Sequence, residues 1–258
     1  QSLGLGKGDR IAIQLPNLLQ TPIAIFAALR AGCIVVNTNP LYTPHEMLTQ
    51  FKDSEAKAII ILENFAWKLE SIITQTKIEH VIVTQVGDLL GPIKGGAVNF
   101  AVKYIKKEVP SHRLPAVSFA DALKIGAAKK FTPVDVRQND TAFLQYTGGT
   151  TGTPKGAMMS HRNVIANILQ IKGWFGTIEF FKDDVFLIPL PIYHVFSLTC
   201  NFVTFYNFGL TNVFVTNPRD IKYLLHQIAR YRVRMMIGVS TLFRGMLSHK
   251  NFSRVDWE

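Results

Sequence analysis

Cysteine is almost missing from this chain: only Cys33 and Cys200 occur among 258 residues, each inside an apolar stretch. That scarcity excludes a disulfide framework and fits buried thiols in a reducing cytoplasm. The seven histidines, at positions 45, 80, 112, 161, 194, 226 and 249, show no short ligand spacing, so no protein-ligated zinc is expected. Repeats and low-complexity tracts are also lacking, and 48% of the residues are hydrophobic against 18% charged. This composition excludes disordered and solenoid architectures and is enough for one large domain or two lobes. No initiator Met and no basic-then-apolar leader precede Gln1-Ser-Leu-Gly4, so the sequence reads as an excerpt.

Acidic residues are the scarcer charge, 18 against 28 Lys plus Arg, and the net charge of +10 favours anionic partners: nucleotides, CoA phosphates, acidic lipid or nucleic acid. The basic residues are scattered. Small clusters at Lys103/Lys106/Lys107, Lys124/Lys129/Lys130 and Arg230/Arg232/Arg234 read as solvated faces. Without a stacking-aromatic platform or a reading motif, nucleic-acid binding is not expected. From Val185 to Pro218 no side chain is charged. That is longer than the roughly 20 residues of a bilayer crossing. Yet Pro189, Pro191, His194, Asn201, Asn207, Gly209 and Asn212 interrupt it with helix breaks and polar groups, so a buried strand, turn and helix are expected instead.

Strand-length apolar runs alternate with helical periodicity, the pattern of βα units around mainly parallel sheets. Strands are expected at 10–15, 34–37, 58–62, 81–84 and 141–146. Helices are expected at 22–31 with Thr21 as cap, at 43–54, at 65–76 and, after the stretch 157–160, at about 162–171. Between 87 and 138 the pattern weakens into a peripheral excursion with one or two helices. After Gly176 come a strand at 185–189, a helix at 196–208, a strand at 212–216, a helix at 218–231 capped by Asn217, a strand at 234–237 and a helix at 241–249. The expected fold is therefore α/β, with a first lobe over 1–175 and a partial second lobe over 176–258.

The densest motif is Tyr146-Thr-Gly-Gly-Thr-Thr-Gly-Thr-Pro-Lys-Gly156. Gly148, Gly149 and Gly152 let backbone N–H groups approach anionic oxygens. Thr147, Thr150, Thr151 and Thr153 add hydroxyl donors, and Lys155 adds a mobile positive charge. A run of this kind after a strand and before a helix reads as a phosphate clamp. The spacing is not that of a P-loop: counting from Gly149, Pro154 stands where the second Gly belongs and Gly156 where Ser or Thr belongs. No dinucleotide-binding Gly-x-Gly-x-x-Gly stands at a strand–helix junction either.

This run resembles the signature of the adenylate-forming (AMP-binding) superfamily, which includes acyl-CoA synthetases, luciferases and peptide-synthetase adenylation domains. Other stretches agree in order: Gly8-Asp-Arg-Ile-Ala-Ile13, Leu15-Pro-Asn-Leu-Leu19, Asn37-Thr-Asn-Pro-Leu-Tyr-Thr-Pro44, Pro189-Leu-Pro-Ile-Tyr-His-Val-Phe196 and Gly238-Val-Ser-Thr-Leu-Phe243. Two of these, Asn-Pro-Leu-Tyr-Thr and Gly-Val-Ser-Thr-Leu-Phe, are most similar to long-chain fatty-acid CoA ligases. The resemblance implies a ligase that makes an acyl-adenylate from ATP and a fatty acid, then an acyl-CoA thioester from CoA. It assigns Thr147, Gly148, Gly149, Thr150, Thr151, Gly152, Thr153 and Lys155 to the triphosphate, with Thr147 also contacting Mg2+. It places His194 near the substrate carboxylate and adenylate, where the imidazole would donate a hydrogen bond, although a lone His in an apolar segment is otherwise a core residue. Phe196, Leu198 and the 238–243 stretch are candidates for lining an acyl tunnel.

Relatives of full length carry a Thr-Glu motif, a ribose-binding Asp, a hinge and a small C-terminal domain with a catalytic Lys; none follows His249. The resemblance thus implies a fragment with an incomplete second lobe and no C-terminal domain, inactive alone. It leaves room for a homodimer of the full-length enzyme and for peripheral contact with the inner face of the membrane. Two alternatives stay open: adenylation of an amino or aryl acid, and a non-catalytic nucleotide- or acyl-binding protein.

Overall fold

The computed structural model describes residues 1–147, 154–176 and 178–257. The chain divides into two compact units, Gln1–Arg162 and Asn163–Glu258.

In the first unit the elements are β1 (Arg10–Gln14), α1 (Gln20–Arg30), β2 (Ile34–Asn37), α2 (Pro44–Ser54), β3 (Ala58–Leu62), α3 (Glu63–Glu70), β4 (His80–Thr84), α4 (Pro92–Phe100), β5 (Val117–Ser118), α5 (Phe119–Ala127), β6 (Thr141–Thr147) and β7 (Lys155–Ser160). Among the described residues they form a seven-stranded sheet of order β5-β4-β3-β1-β2-β6-β7. Every neighbouring pair is parallel except β6 and β7. β3, Ala-Ile-Ile-Ile-Leu, is buried along its whole length, as a parallel strand covered on both faces must be. Phe51 and Met47 of α2, Leu69 of α3, and Ile59 and Ile61 of β3 meet in the core between helices and sheet.

Helix starts follow local chemistry. Thr43 caps α2 by accepting the Glu46 amide at 3.3 Å, while the Glu46 carboxylate accepts the Thr43 amide at 2.7 Å. This reciprocal box satisfies two otherwise orphaned donors, a contribution of about 1 kcal/mol. α1 begins two residues earlier than the sequence pattern suggests. Thr21 does not cap it: its hydroxyl donates to the Pro16 carbonyl at 2.7 Å and is spent on the preceding turn. α3 ends at Glu70, and a separate 3-10 turn covers Ile73–Gln75.

α6 (His161–Trp174) crosses the boundary between the units. The second unit contains β8 (Val185–Ile188), a π-helical stretch over Ser197–Val203 running into α7 (Thr204–Asn207), β9 (Thr211–Phe214), α8 (Ile221–Tyr231), β10 (Met235–Met236) and α9 (Ser240–Leu247). Its parallel sheet has the order β10-β8-β9. The uncharged span 185–218 is thus strand, turn, helix and strand, with Phe186 stacked on Phe205 at 3.6 Å between ring centroids. Among the described residues no helix is long and apolar enough to cross a membrane. Asp220, not Asn217, caps α8 by accepting the Tyr223 amide at 2.9 Å, and Asn217 takes the Arg219 amide at 3.2 Å instead.

Candidate nucleotide-binding site

The Gly/Thr run joins β6 to β7. Thr147 ends β6 and Lys155 begins β7, and in the antiparallel register they face each other, with Tyr146 opposite Gly156 one step further in. Both Thr147 and Lys155 are exposed. The hairpin therefore brings the two ends of the run to adjacent strands at the carboxyl edge of a parallel sheet, the edge where open α/β folds place ligands. Gly148, Gly149, Thr150, Thr151, Gly152 and Thr153 lie outside the described residues. The helix expected from about residue 162 is present as α6, which starts at His161, and the last residues of the run together with 157–160 are paired in β7.

The base of this hairpin is anchored. Tyr146 is 8% exposed, and its hydroxyl donates to Asp53 Oδ2 at the end of α2 over 2.5 Å. Burial, and then the Asp53 carboxylate, drive the phenol pKa upward, so Tyr146 is a neutral hydrogen-bond donor at any physiological pH. Its ring also lies across Gly156. A Cβ at Gly156 would stand 2.9 Å from Tyr146 Cζ and 3.1 Å from Cε2. The last glycine of the motif is thus needed for close approach of a ring, not for an unusual φ.

Beneath the hairpin runs a buried amide layer. Gln14 and Asn37 end β1 and β2, and Gln145 lies two residues before the end of β6, all nearly inaccessible. Asn37 Nδ2 donates to Gln145 Oε1 at 3.1 Å across paired strands, Gln50 Nε2 of α2 donates to the Asn37 carbonyl at 3.0 Å, and Gln14 Nε2 to the Asn39 carbonyl at 3.3 Å. Hydrogen bonds between amides in a low-dielectric interior help to fix register, although Gln14 Oε1 and Gln50 Oε1 are buried without a partner among the described residues. α2 grips β6 and its neighbour β2 at two points, Asp53 and Gln50. Sequence reading missed this layer. A Gln ending the apolar run Ala142-Phe-Leu144, and an Asn ending Ile34-Val-Val36, were the available signals.

His194 belongs to the second unit. Its amide donates to the Pro191 carbonyl at 3.1 Å, and its carbonyl accepts the Leu198 amide at 2.9 Å, so it stands at the start of the helical stretch that contains the π turns. His194 is exposed, and its ring tilts against Tyr193 with centroids 4.6 Å apart. Partial desolvation lowers its pKa below the ordinary value, which favours the neutral imidazole. Ser197 fixes the turn by donating to the Leu190 carbonyl at 2.7 Å. Leu198 is wholly buried, whereas Phe196, Val239 and Phe243 are 44%, 43% and 39% exposed, so any acyl-lining role falls on the latter three.

An exposed hydroxyl and an exposed ammonium on adjacent strand ends form neither a nucleophile–base pair nor a metal cage. They suit electrostatic holding of a polyphosphate. Mg2+ takes few protein ligands and keeps phosphate oxygens and waters, so a single Thr147 hydroxyl fits that role. A cavity of about 520 Å3 occurs elsewhere in the first unit, lined by Leu5, Ala24, Ile60, Phe119 and Leu123 among others, and none of Thr147, Lys155 or His194 borders it. Size alone therefore does not mark the chemistry.

Comparison with known proteins shows the family and the fold. The AMP-binding enzyme family matches residues 1–256. The long-chain-fatty-acid–CoA ligase of Salmonella typhimurium is 50% identical over 258 residues, covering 100% of this chain and 46% of the relative. The ligase of the same description from Haemophilus influenzae is 47% identical, covering 98% and 46%. The chain thus spans less than half the length of the curated relatives it matches. The solved structure of the anthranilate CoA ligase AuaEII with anthranoyl-AMP shares the fold, with a TM-score of 0.79 at 20% identity over 98% of this chain and 44% of that one. On the match along almost its whole length, the chain belongs to the AMP-binding enzyme family.

Proposed function

We propose that this chain supplies the triphosphate-holding part of an ATP-dependent fatty-acid CoA ligase, with the residues 147–155 around the β and γ phosphates. The observation that carries the reading is the hairpin itself: Thr147 and Lys155 face each other at the carboxyl edge of the sheet, on a base fixed by Tyr146 and Asp53. In the first half-reaction a carboxylate oxygen of the fatty acid attacks the α-phosphorus; that P–O bond forms, the α–β bridging P–O bond breaks, and pyrophosphate leaves. Lys155 and the loop amides neutralise the charge that grows on the departing oxygens. Thr147 would hold Mg2+, which supplies further charge neutralisation on the phosphates. His194, kept neutral by partial desolvation, hydrogen-bonds the carboxylate or the adenylate. In the second half-reaction the CoA thiol loses its proton, the sulfur bonds to the acyl carbon, and AMP leaves.

The test is a chimera in which this chain replaces the matching 46% of the Salmonella typhimurium relative. Fatty-acid-dependent exchange of pyrophosphate into ATP is expected. Lys155→Ala should lower it by about 10²–10³, the loss typical of one preorganised electrostatic donor. Undiminished exchange in that variant, or activity with aryl and amino acids but not fatty acids, contradicts the proposal.

A further inference from the structure

α4 and the π-helical turn that continues it over Ala101–Ile105 wear their polarity inside out. Positions 95, 99 and 103 face the protein. Gly95 lies on the Gly87 backbone, where a Cβ would stand 2.3 Å from the Gly87 carbonyl oxygen. Asn99 accepts the Gly87 amide at 2.7 Å and donates to Asp88 at 3.3 Å, and Lys103 donates to the Glu63 carboxylate at 2.8 Å. The inner side is thus held by a glycine contact and by polar bonds at 95, 99 and 103, with Val98, Ala101 and Val102 half-buried beside them. The outer face is apolar: Ile93 is 88% exposed, Phe100 58%, Tyr104 61% and Ile105 70%, with the Phe100 and Tyr104 rings 5.0 Å apart. A surface helix of a soluble protein has the reverse arrangement. Because the inner contacts fix the rotation of the helix, the apolar side chains cannot turn inward without breaking them.

Lys94, Lys106 and Lys107 border this face, all exposed, and none is paired with a carboxylate among the described residues. Apolar side chains flanked by free ammonium groups, with a tyrosine between them, match an interfacial helix whose apolar side enters the headgroup region of a bilayer. The charge selects the occupant. A second copy docked through the same face would set lysines against lysines, whereas an anionic lipid surface attracts them. We infer that α4 and its π-helical continuation form a membrane-surface contact, with Ile93, Phe100, Tyr104 and Ile105 inserted among lipids and Lys94, Lys106 and Lys107 on anionic headgroups. The inference goes beyond nucleotide binding and shares no residue with it.

The experiment is co-sedimentation of the chain with vesicles of phosphatidylcholine, alone or mixed with phosphatidylglycerol. The chain should sediment with the mixed vesicles and at least about tenfold less with pure phosphatidylcholine or in high salt, which screens the lysines. Phe100→Ser/Ile105→Ser should abolish sedimentation, and Lys106→Gln/Lys107→Gln should remove the preference for phosphatidylglycerol. All four side chains are exposed, so folding should survive, and circular dichroism checks it. Phe100→Trp gives a second measurement, a blue-shifted emission on adding mixed vesicles. Failure of the chain to sediment, sedimentation of Phe100→Ser/Ile105→Ser at the unaltered level, or a dimer that this double variant dissociates would each overturn the inference.

Discussion

Gly156→Ala tests the anchoring of the hairpin through a change of sign. In β7 the Gly156 backbone has no positive φ, so alanine there would ordinarily stabilise by about 0.4–1 kcal/mol through the unfolded chain. Here the new Cβ would meet Tyr146 Cζ at 2.9 Å. The ring cannot swing away freely, because it is buried and its hydroxyl is held by Asp53. Overpacking of this kind costs about 1–3 kcal/mol, so the net effect is a loss of roughly 1–2 kcal/mol. In a Tyr146→Ala background the obstruction is gone and the same substitution should turn neutral or stabilising. Urea denaturation of the four proteins closes the double-mutant cycle, with an expected coupling of about 1–3 kcal/mol. Equal costs of Gly156→Ala in both backgrounds would refute the steric reasoning.

Two further outcomes follow from the same geometry. Tyr146→Phe should cost about 1.5 kcal/mol, the lower end of the range for a hydrogen bond to a charged partner, because the exposed Asp53 carboxylate can rehydrate. Since the Tyr146 pKa is raised in the folded chain, the unfolded chain loses this proton first. The stabilisation is therefore complete below the ordinary phenol value near 10 and falls away above it, so the two proteins should converge in stability at high pH. A constant gap would contradict the assignment. His194 should titrate below the ordinary histidine value in proton NMR, because desolvation opposes its charged form. The unfolded chain then binds more protons below about pH 6.5, so this group removes stability as the pH falls. A His194 resonance titrating above that value would contradict the neutral-donor role.

The parallel architecture was legible because buried parallel strands are near-continuous β-branched runs: Ile34-Val-Val and Ala58-Ile-Ile-Ile-Leu62 reappear with the expected bounds. The helix over 43–54 was legible too, although Thr43 turns out to be its cap, completed by Glu46, and the helix itself begins at Pro44. β7 was not recognised as a strand leaving the motif. Lys-Gly-Ala-Met-Met-Ser lacks β-branched residues and alternation, and it becomes a strand only through antiparallel pairing with β6. Asp53 was equally hidden, 93 residues from the Tyr146 hydroxyl it receives. The widened turns over Ser197–Val203, where the Thr204 hydroxyl reaches back to the Thr199 carbonyl at 2.7 Å, leave the 3.6 periodicity that a sequence pattern reports. Local chemistry is written in neighbouring residues; the supports of the site come from distant ones.

The most direct measurement is a crystal of the chain with Mg2+ and a non-hydrolysable ATP analogue. The triphosphate is expected against residues 147–155, with the Lys155 ammonium on the phosphate oxygens. Nucleotide bound away from the β6–β7 hairpin would contradict it.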